Sequence, residues 1–436
     1  MGNPKIVVIG GGSTGSFITH DLASRGFDVT LIERGTVIGG TSGRFHGLLH
    51  SGARYAVNDP KAARESLEDN GVISRIASHS VEDTGGFFVG IDDEDVSYAS
   101  KFAAGCKEAG IDAKEVDIEE LRKSEPLITK DAKIAFSVPD KTINSFSFIT
   151  SLMLTAKSEG AKVRLNSEVT GFDTNGKEVK GVKIRDVSSG KTETITSDLV
   201  VNASGPWVSD TVKKSLGIDS IKLILSAGTM TVIGRRFTTA VINRLRMPSD
   251  GDIIVPYHGE SIIGTTAFLI LDPDNFEIDE DDPKFLVEEG SKLVPEIGKY
   301  QVKRYYAGVR PLIASEGGGA GQREVSRDYV VFDHESLDGV RGIMSVGGGK
   351  LSTSRILAKD VGDFVRGKFG GKAESRTDSI NLVWPELGAD NFEKIAKDTG
   401  FPVSFLKELV YETSSKTYSD IYSPVRDLVY SKMLFD

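Results

Sequence analysis

The sequence predicts an α/β fold in which two domains interleave along the chain and a short helical extension follows them. Three observations predict this fold. The chain opens with a strand, a glycine-rich turn, a helix and a second strand; stretches of alternating apolar and polar residues recur later; and short helical patterns follow residue 371. A length of 436 residues suits two cores better than one.

The opening unit has the spacing of a dinucleotide-binding βαβ unit. Strands are predicted at Lys5–Ile9 and Asp28–Ile32, with a glycine turn over residues 10–15 and then a helical stretch through Arg25 between them. Glycines in the turn let the backbone approach a pyrophosphate at the helix N-terminus, and an acid after the second strand accepts hydrogen bonds from a ribose. The residues predicted to contact the dinucleotide here are Gly10, Gly12, Ser13, Thr14, Gly15, Glu33 and Arg34.

The middle of the chain is predicted to be rich in strands. Residues 161–205 alternate apolar and polar side chains, and the pair Asn175 and Gly176 is typical of a hairpin turn. Residues 221–309 are again strand-rich, which favours a mixed sheet. The predicted division is a discontinuous first domain (1–85, 145–215 and 325–370), a second domain (86–144 and 216–324) and a helical extension (371–436).

Composition argues against several classes of protein. The net charge is -10, which disfavours nucleic acid as a partner, so an anionic substrate needs a local cluster of Arg and Lys. The single cysteine, Cys106, allows neither an internal disulfide nor a four-thiolate iron–sulfur site, and we expect no metal. We expect neither a signal peptide nor a transmembrane segment, which predicts a cytoplasmic protein, with peripheral contact with the membrane left open.

Residues 39–55 combine many glycines with two histidines and two arginines. Such a segment makes a poor core strand, but its backbone could pass close to a flat ligand. It resembles the second flavin-contacting motif of the glycine oxidase and D-amino-acid oxidase superfamily of FAD enzymes. Within it, HGLLHSGARYAV is similar to the FAD-dependent glycerol-3-phosphate dehydrogenases, in particular their anaerobic type.

The resemblance extends over most of the chain in order and spacing. It implies a Rossmann-like FAD-binding domain interleaved with a mixed β-sheet substrate domain. The further matching segments are residues 200–207, 241–244, 248–250, 263–266, 306–312, 326–329 and 347–351. The cofactor residues that it implies, beyond the opening unit, are Thr41, Ser42, His46, Gly47, Leu48, Val169, Ala203, Gly205, Trp207, Gly348, Gly349, Lys350 and Leu351.

The activity implied by the resemblance is oxidation of sn-glycerol 3-phosphate to dihydroxyacetone phosphate. A base removes the proton of the C2 hydroxyl while hydride passes to flavin N5. The cysteine-rich C-terminal domain of the anaerobic type is not found after Gly371, so the electron acceptor is open: a quinone, a soluble carrier, oxygen or a partner subunit. A homodimer and a covalently attached flavin also stay open.

The resemblance also implies which side chains act on the substrate. His50 is the first choice for the base and His46 the second, because a neutral imidazole accepts a proton near pH 7. The aerobic members carry a histidine in the strand that here spans residues 225–230, and its absence leaves the base open. The side chains implied to grip the phosphorylated substrate are Arg54, Tyr55, Arg310, Arg327 and Lys350, and Lys350 has the alternative of stabilising reduced flavin.

Two other functions fit the same scaffold. One is an L-2-hydroxyglutarate or other 2-hydroxy-acid dehydrogenase or oxidase, and the other is a non-catalytic FAD-binding subunit. The segments around Arg310 and Lys350, together with Arg54, favour a phosphate substrate over a hydroxy acid. Retention of His50 beside these cations argues against a subunit that has lost catalysis.

Overall fold

The computed structural model describes residues 3–314, 329–371, 373–384, 393, 396–397 and 403–404. Two large sheets and two small ones make up the strands of this part of the chain. The helices are α1 (Ser13–Ser24), α2 (Pro60–Ile76), α3 (Asp93–Ala109), α4 (Ile118–Ser124), α5 (Ser145–Ser158), α6 (Val208–Leu216), α7 (Asp282–Leu293), α8 (His334–Asp338) and α9 (Ser354–Phe369).

The strands follow the same chain order. They are β1 (Lys5–Ile9), β2 (Asp28–Ile32), β3 (Leu48–Leu49), β4 (Val81–Glu82), β5 (Gly86–Gly90), β6 (Lys114–Glu115), β7 (Ile134–Val138), β8 (Lys141–Ile143), β9 (Lys162–Arg164), β10 (Ser167–Asn175), β11 (Glu178–Asp186), β12 (Thr192–Thr196), β13 (Leu199–Asn202), β14 (Leu223–Ile233), β15 (Val241–Arg244), β16 (Ile253–Tyr257), β17 (Glu260–Gly264), β18 (Phe268–Leu269), β19 (Val302–Ile313), β20 (Tyr329–Asp333) and β21 (Ile343–Gly348). The predicted mixture of helix and sheet is confirmed.

The opening βαβ unit forms as predicted. Strands β1 and β2 pair in parallel from Lys5 against Asp28 to Ile9 against Ile32, with α1 between them. Gly15 on α1 lies against the backbone of Gly10, because a Cβ at Gly15 would sit only 1.9 Å from the Gly10 carbonyl oxygen. Any larger residue at this position would push the helix off the strand.

A six-stranded sheet contains this unit. Its order is β20-β21-β13-β1-β2-β9, parallel except that β20 runs antiparallel to β21. Phe17 of α1 and Phe148 of α5 meet edge to face in the apolar core, with ring centroids 5.7 Å apart. Because β1, β2, β13 and β21 are parallel, their carboxyl ends lie at one edge of the sheet, where open α/β sheets bind ligands.

The stretch of chain between α5 and β13 forms a three-stranded antiparallel sheet, β10-β11-β12. Its first two strands pair up to Asn175 against Glu178, and Gly176 in the turn has a φ of 59°. This is the left-handed conformation that hairpin turns require of a glycine. The hairpin predicted at Asn175 and Gly176 is confirmed.

The second large sheet has nine strands and is mixed. Its path is β18-β14-β17-β16-β15-β5-β7-β6, and β19 pairs with β14 over most of its length. Strand β15 lies parallel to β5, whereas its pairing with β16 is antiparallel. The sheet thus combines residues 86–138 with residues 223–313. It is mixed, as predicted for residues 221–309.

The small sheet β3-β8-β4 holds the histidine-bearing segment in place. Leu48 and Leu49 pair with Thr142 and Lys141, and both leucines are buried. This pairing places the chain on either side of β3 at the junction of the two large sheets.

The described C-terminal segment, residues 373–384, contains no helix and packs across the helices of the six-stranded sheet. Its backbone N–H groups at Leu382 and Val383 donate to Ile76 and Thr155, at 2.8 and 2.9 Å. Most of the helical extension predicted over 371–436 lies outside the described residues. None of the helices in the described chain is long and apolar enough to cross a membrane.

Candidate active site

A cavity of about 870 Å3 opens at the carboxyl ends of the parallel strands. Its walls come from the turn after β1, the end of β2, the segment after β13, the end of β19 and the turn after β21. The residues predicted to hold a cofactor that line it are Gly10, Gly12, Ser13, Thr14, Glu33, Arg34, Thr41, Ser42, His46, Leu48, Val169, Ala203, Gly205, Trp207, Gly348, Gly349, Lys350 and Leu351.

The glycine-rich turn leaves room for a ligand close to the main chain. Gly10 has a φ of 102°, and a Cβ there would lie 2.6 Å from the Ala203 carbonyl oxygen. Glu33 closes the turn, because its carboxylate accepts the backbone N–H groups of Gly11 at 2.7 Å and Gly35 at 2.8 Å. These bonds fix the carboxylate at the end of β2, where the sequence predicts a contact with a ribose.

Three serines join the start of α1 to neighbouring segments. The backbone N–H of Ser13 donates to Ser42 Oγ at 2.9 Å, and Ser354 Oγ donates to Ser13 Oγ at 3.0 Å. Thr41 Oγ1 donates to the Val309 carbonyl at 2.7 Å. The helix N-terminus, the glycine-rich segment and β19 are therefore held together around the cavity.

Two histidines, a tyrosine and a lysine form a line along one wall. The ring centroids of His46 and His50 are 5.7 Å apart, and those of His50 and Tyr55 are 5.4 Å apart. The Lys350 Nζ lies 4.1 Å from the centroid of the Tyr55 ring. That ammonium is buried and has no hydrogen-bond partner among the described residues.

Arg310 enters the same cavity from β19. Its guanidinium donates to Thr265 Oγ1, and to the carbonyl oxygens of Ala227 and Thr266 at 3.3 Å each. Gly228 makes space for it, since a Cβ there would lie 2.4 Å from Arg310 Nη2. Residues 225–230 of β14, the segment without the histidine of the aerobic enzymes, therefore leave room for the Arg310 guanidinium.

Arg54, which the resemblance implies as a substrate contact, does not line the cavity. The Arg54 Nη2 donates to the Asp252 carboxylate at 3.0 Å and to the Ser249 carbonyl oxygen at 3.2 Å. A buried carboxylate partner turns the guanidinium away, so the predicted substrate contact of Arg54 stays a prediction. Arg327 lies outside the described residues.

Gly15 and Gly47 do not line the cavity, and their predicted cofactor contacts stay predictions; each packs closely against a neighbouring segment. Gly47 has a φ of 79°, and a Cβ there would lie 2.6 Å from the Tyr257 ring. Both glycines let the segments that carry the lining residues approach their neighbours closely.

Sequence reasoning missed Asp274 at the mouth of the cavity. Its carboxylate accepts from Arg34 at 2.7 Å and from Trp207 Nε1 at 2.8 Å, while the Arg34 guanidinium stacks 4.1 Å from the Trp207 ring. Burial alone would raise the pKa of Asp274, but the hydrogen bonds from Arg34 and Trp207 outweigh it and lower that pKa. Asp274 lies in an acidic stretch, residues 272–282, and nothing in that stretch singles it out for such a contact.

The residues that line the cavity fit a dinucleotide. The narrow glycine turn suits a pyrophosphate, Glu33 suits a ribose, and the buried ammonium of Lys350 calls for an anionic or hydrogen-bond-accepting ligand. The described residues contain no group of three or more His, Cys, Asp or Glu side chains that could hold a metal ion.

The chain matches known proteins over most of its length. The FAD dependent oxidoreductase (DAO) family model matches residues 5–355. One subunit of the anaerobic glycerol-3-phosphate dehydrogenase of Haloferax volcanii is 40% identical over 385 residues, which cover 86% of this chain and 65% of the relative. One subunit of the Escherichia coli anaerobic enzyme is 38% identical over 417 residues, 94% of this chain and 76% of the relative.

The fold is also that of a solved structure. The glycerol-3-phosphate dehydrogenase from Bacillus halodurans complexed with FAD superposes with a TM-score of 0.66 at 22% identity, covering 94% of this chain and 75% of that one. The present chain spans 65% of the length of the haloarchaeal relative. The family match over most of the chain confirms the predicted resemblance: the chain belongs to the FAD-dependent oxidoreductase (DAO) family, whose cofactor is FAD.

Proposed function

We propose that this chain is a glycerol-3-phosphate dehydrogenase that oxidises sn-glycerol 3-phosphate to dihydroxyacetone phosphate. The observation that carries the proposal is the approach of Arg310 and the buried Lys350 ammonium to the cavity that His50 lines. The names of the curated relatives support the same substrate.

The cofactor would be held by the residues that line the rest of the cavity. Gly10, Gly12 and the N-terminus of α1 would bind the pyrophosphate, and Glu33 would accept hydrogen bonds from the ribose. When bound, FAD supplies the two-electron acceptor for the alcohol. Lys350 follows two glycines of positive φ, Gly348 and Gly349, so the turn presents its side chain beside the space that the cofactor would fill.

Arg310 would bind the substrate phosphate. Hydroxyl and carbonyl oxygens of Ala227, Thr265 and Thr266 accept hydrogen bonds from its guanidinium and orient the head group at the cavity wall. A charge-assisted contact in a partly buried site contributes about 1.5 to 3 kcal/mol. Lys350 adds a second positive charge on the same cavity.

His50 would take the proton of the substrate hydroxyl. His46 is the weaker candidate, because its Nδ1 accepts the Leu48 backbone N–H at 3.1 Å. A neutral His46 therefore carries its proton on Nε2 and presents a donor, which suits a hydrogen bond to the cofactor. His50 lies between His46 and Tyr55 and is the better base on this ground.

The electrons would leave to a quinone or to an accepting partner subunit. The names of both anaerobic relatives describe them as subunits, which supports transfer to a partner chain.

The phosphate assignment is tested by Arg310→Ala in a dye-linked dehydrogenase assay. We expect KM for sn-glycerol 3-phosphate to rise about 10- to 100-fold, while the flavin content stays at one per chain. The matched control is Arg304→Ala on the same strand, whose guanidinium pairs with Glu260 at 2.7 Å and does not line the cavity. Equal KM values for the two variants would contradict the assignment of Arg310.

A further inference from the structure

We propose that Asn70 and Asp140 are positioning residues that hold His50 in the cavity by clamping the peptide groups on either side of it. The inference rests on the proposed function, since it takes His50 as the base. Neither side chain lines the cavity, so any effect on the reaction would pass through the main chain of the loop.

The two contacts bracket His50 along the chain. Asn70 Nδ2 donates to the carbonyl oxygen of Leu49 at 2.9 Å, and the backbone N–H of Ser51 donates to Asp140 Oδ1 at 2.7 Å. Asn70 and Asp140 are 4% and 2% exposed, so water does not compete for either bond.

The clamp is one connected unit. Asn70 Nδ2 also reaches the carbonyl oxygen of Pro139, the residue before Asp140, at 3.4 Å. The other oxygen of Asp140 accepts from Asn243 Nδ2 at 3.3 Å, which anchors the carboxylate to β15 of the mixed sheet. His50 is thus fixed from α2 on one side and from the mixed sheet on the other.

The surrounding backbone is shaped for the clamp. Gly86 leaves the space that Asp140 occupies, since a Cβ there would lie 2.8 Å from Asp140 Cβ. Directly after Ser51, Gly52 adopts a φ of 94°, and a Cβ there would sit 2.2 Å from the Ala63 carbonyl oxygen. The chain therefore turns sharply against α2 just beyond the clamped amide.

Burying a carboxylate costs free energy, even when Ser51 and Asn243 donate hydrogen bonds to it. The Asp140 contact lies where the chain leaves β3 for the cavity wall. A displacement of a catalytic group by about 1 Å can lower turnover about 100-fold. Loss of the clamp should therefore lower kcat. KM should stay nearly unchanged, because we assign substrate binding to Arg310 and Lys350.

The test compares Asp140→Ala and Asp140→Asn in the FAD-loaded enzyme. We expect kcat for sn-glycerol 3-phosphate to fall about 10- to 100-fold in Asp140→Ala, with KM and flavin content unchanged. The amide oxygen in Asp140→Asn can still accept from Ser51, so that variant should recover to within about threefold of wild type. Asn70→Ala should behave like Asp140→Ala.

The control is Asp95→Ala. Asp95 is 1% exposed, and it accepts the Ile91 backbone N–H at 2.9 Å and pairs with Arg244, away from the cavity. This variant should lose stability but keep the kcat of its folded fraction. Equal losses of kcat in Asp95→Ala and Asp140→Ala would overturn the inference, because the effect would then be one of general stability.

A double-mutant cycle separates the inference from the proposed function. In a His50→Ala background, Asp140→Ala should have no further effect on kcat, since it acts through His50. Additive losses would overturn the clamp and leave the proposed function intact. A wild-type kcat in His50→Ala alone would overturn the base assignment and the inference together.

Hydrogen exchange gives a measurement that does not depend on activity. In the holoenzyme, the peptide that contains His50 should lose amide protection in Asp140→Ala and keep it in Asp95→Ala. Unchanged protection in Asp140→Ala would overturn the clamp even if the chain proved inactive with glycerol 3-phosphate.

Discussion

The ammonium of Lys350 is buried in the cavity wall, and in the described part of the chain no group accepts a hydrogen bond from it. A buried charge without a partner destabilises a fold unless a ligand compensates for it. The ring of Tyr55, 4.1 Å away, offers only a cation–π contact. We therefore expect Lys350 to lower the stability of the ligand-free protein.

We expect Lys350→Met to separate these two effects. The flavin-free protein should gain about 1 kcal/mol in free energy of unfolding, because an unsatisfied charge is replaced by an apolar chain of similar length. The kcat/KM for sn-glycerol 3-phosphate should fall at least about tenfold. Chemical denaturation and steady-state kinetics measure the two quantities.

Lys359→Met on α9 is the control for this prediction. Its side chain is 48% exposed and pairs with Asp363 at 3.2 Å, so both quantities should change little. A destabilised Lys350→Met protein with wild-type kinetics would show that the ammonium has a structural role.

At the scale of single residues, the sequence predicted roles that depend on local context. The glycine turn and Glu33 could be identified because their spacing along the chain is fixed by the βαβ unit. Arg54 shows the limit of that reasoning. Its ion-pair partner Asp252 is distant in sequence, and no local pattern indicates that the two would meet.

At the scale of elements, the long antiparallel pair of strands β14 and β19 positions Arg310, the residue proposed to bind the phosphate. Gly228 lies opposite Gly308, and Ser226 lies opposite Arg310, so the arginine head group reaches over Gly228 on the neighbouring strand. The strand-rich character of this region could be predicted from alternation of apolar and polar residues. Its register could not, because pairing between distant strands depends on the packing of the whole sheet.

Gly228→Ala tests the placement of the arginine. A methyl group 2.4 Å from Arg310 Nη2 must displace the guanidinium, so we expect KM for sn-glycerol 3-phosphate to rise about tenfold with FAD still bound. Kinetics and flavin absorbance on the purified variant measure both.

The control is Gly71→Ala on α2, where a Cβ meets nothing within 4 Å. Alanine favours a helix over glycine by about 0.8 to 1 kcal/mol, so this variant should be slightly more stable with normal kinetics. A normal KM in Gly228→Ala would mean that Arg310 does not need its observed position.

At the scale of the whole molecule, the two large sheets meet around the cavity and each contributes to it. The parallel sheet provides the glycine turn and the mixed sheet provides Arg310. The contact of Asp274 with Arg34 and Trp207 joins a loop of the second region to the first across the cavity mouth. Contacts of this kind follow from the assembled fold, and a single sequence does not predict them.

Cys106 reports on whether this assembly is intact. Burial, with a smaller contribution from the charge of Asp140, raises the pKa of its thiol to about 12 from an ordinary value of 9.0. Between about pH 9 and pH 12 the thiol stays protonated in the folded protein, whereas the unfolded chain releases its proton. The resulting contribution to stability is present below about pH 9 and is lost as the pH rises from about 9 to about 12.

Alkylation by iodoacetamide at pH 8.5 should therefore be slow in the folded protein and fast after unfolding in guanidinium chloride. Intact-mass spectrometry over time measures both rates, and the folded rate should be at least about 100-fold lower. Rapid modification of the folded protein would contradict the burial of this thiol in the core of the mixed-sheet region.

The most direct test of the proposed activity is anaerobic addition of sn-glycerol 3-phosphate to the FAD-loaded protein, with absorbance followed at the visible flavin band. L-2-Hydroxyglutarate serves as the parallel control on the same sample. The phosphate binding assigned to Arg310 and Lys350 predicts that glycerol 3-phosphate bleaches the flavin and that the hydroxy acid does not. Bleaching by the hydroxy acid alone, or by neither compound, would contradict it.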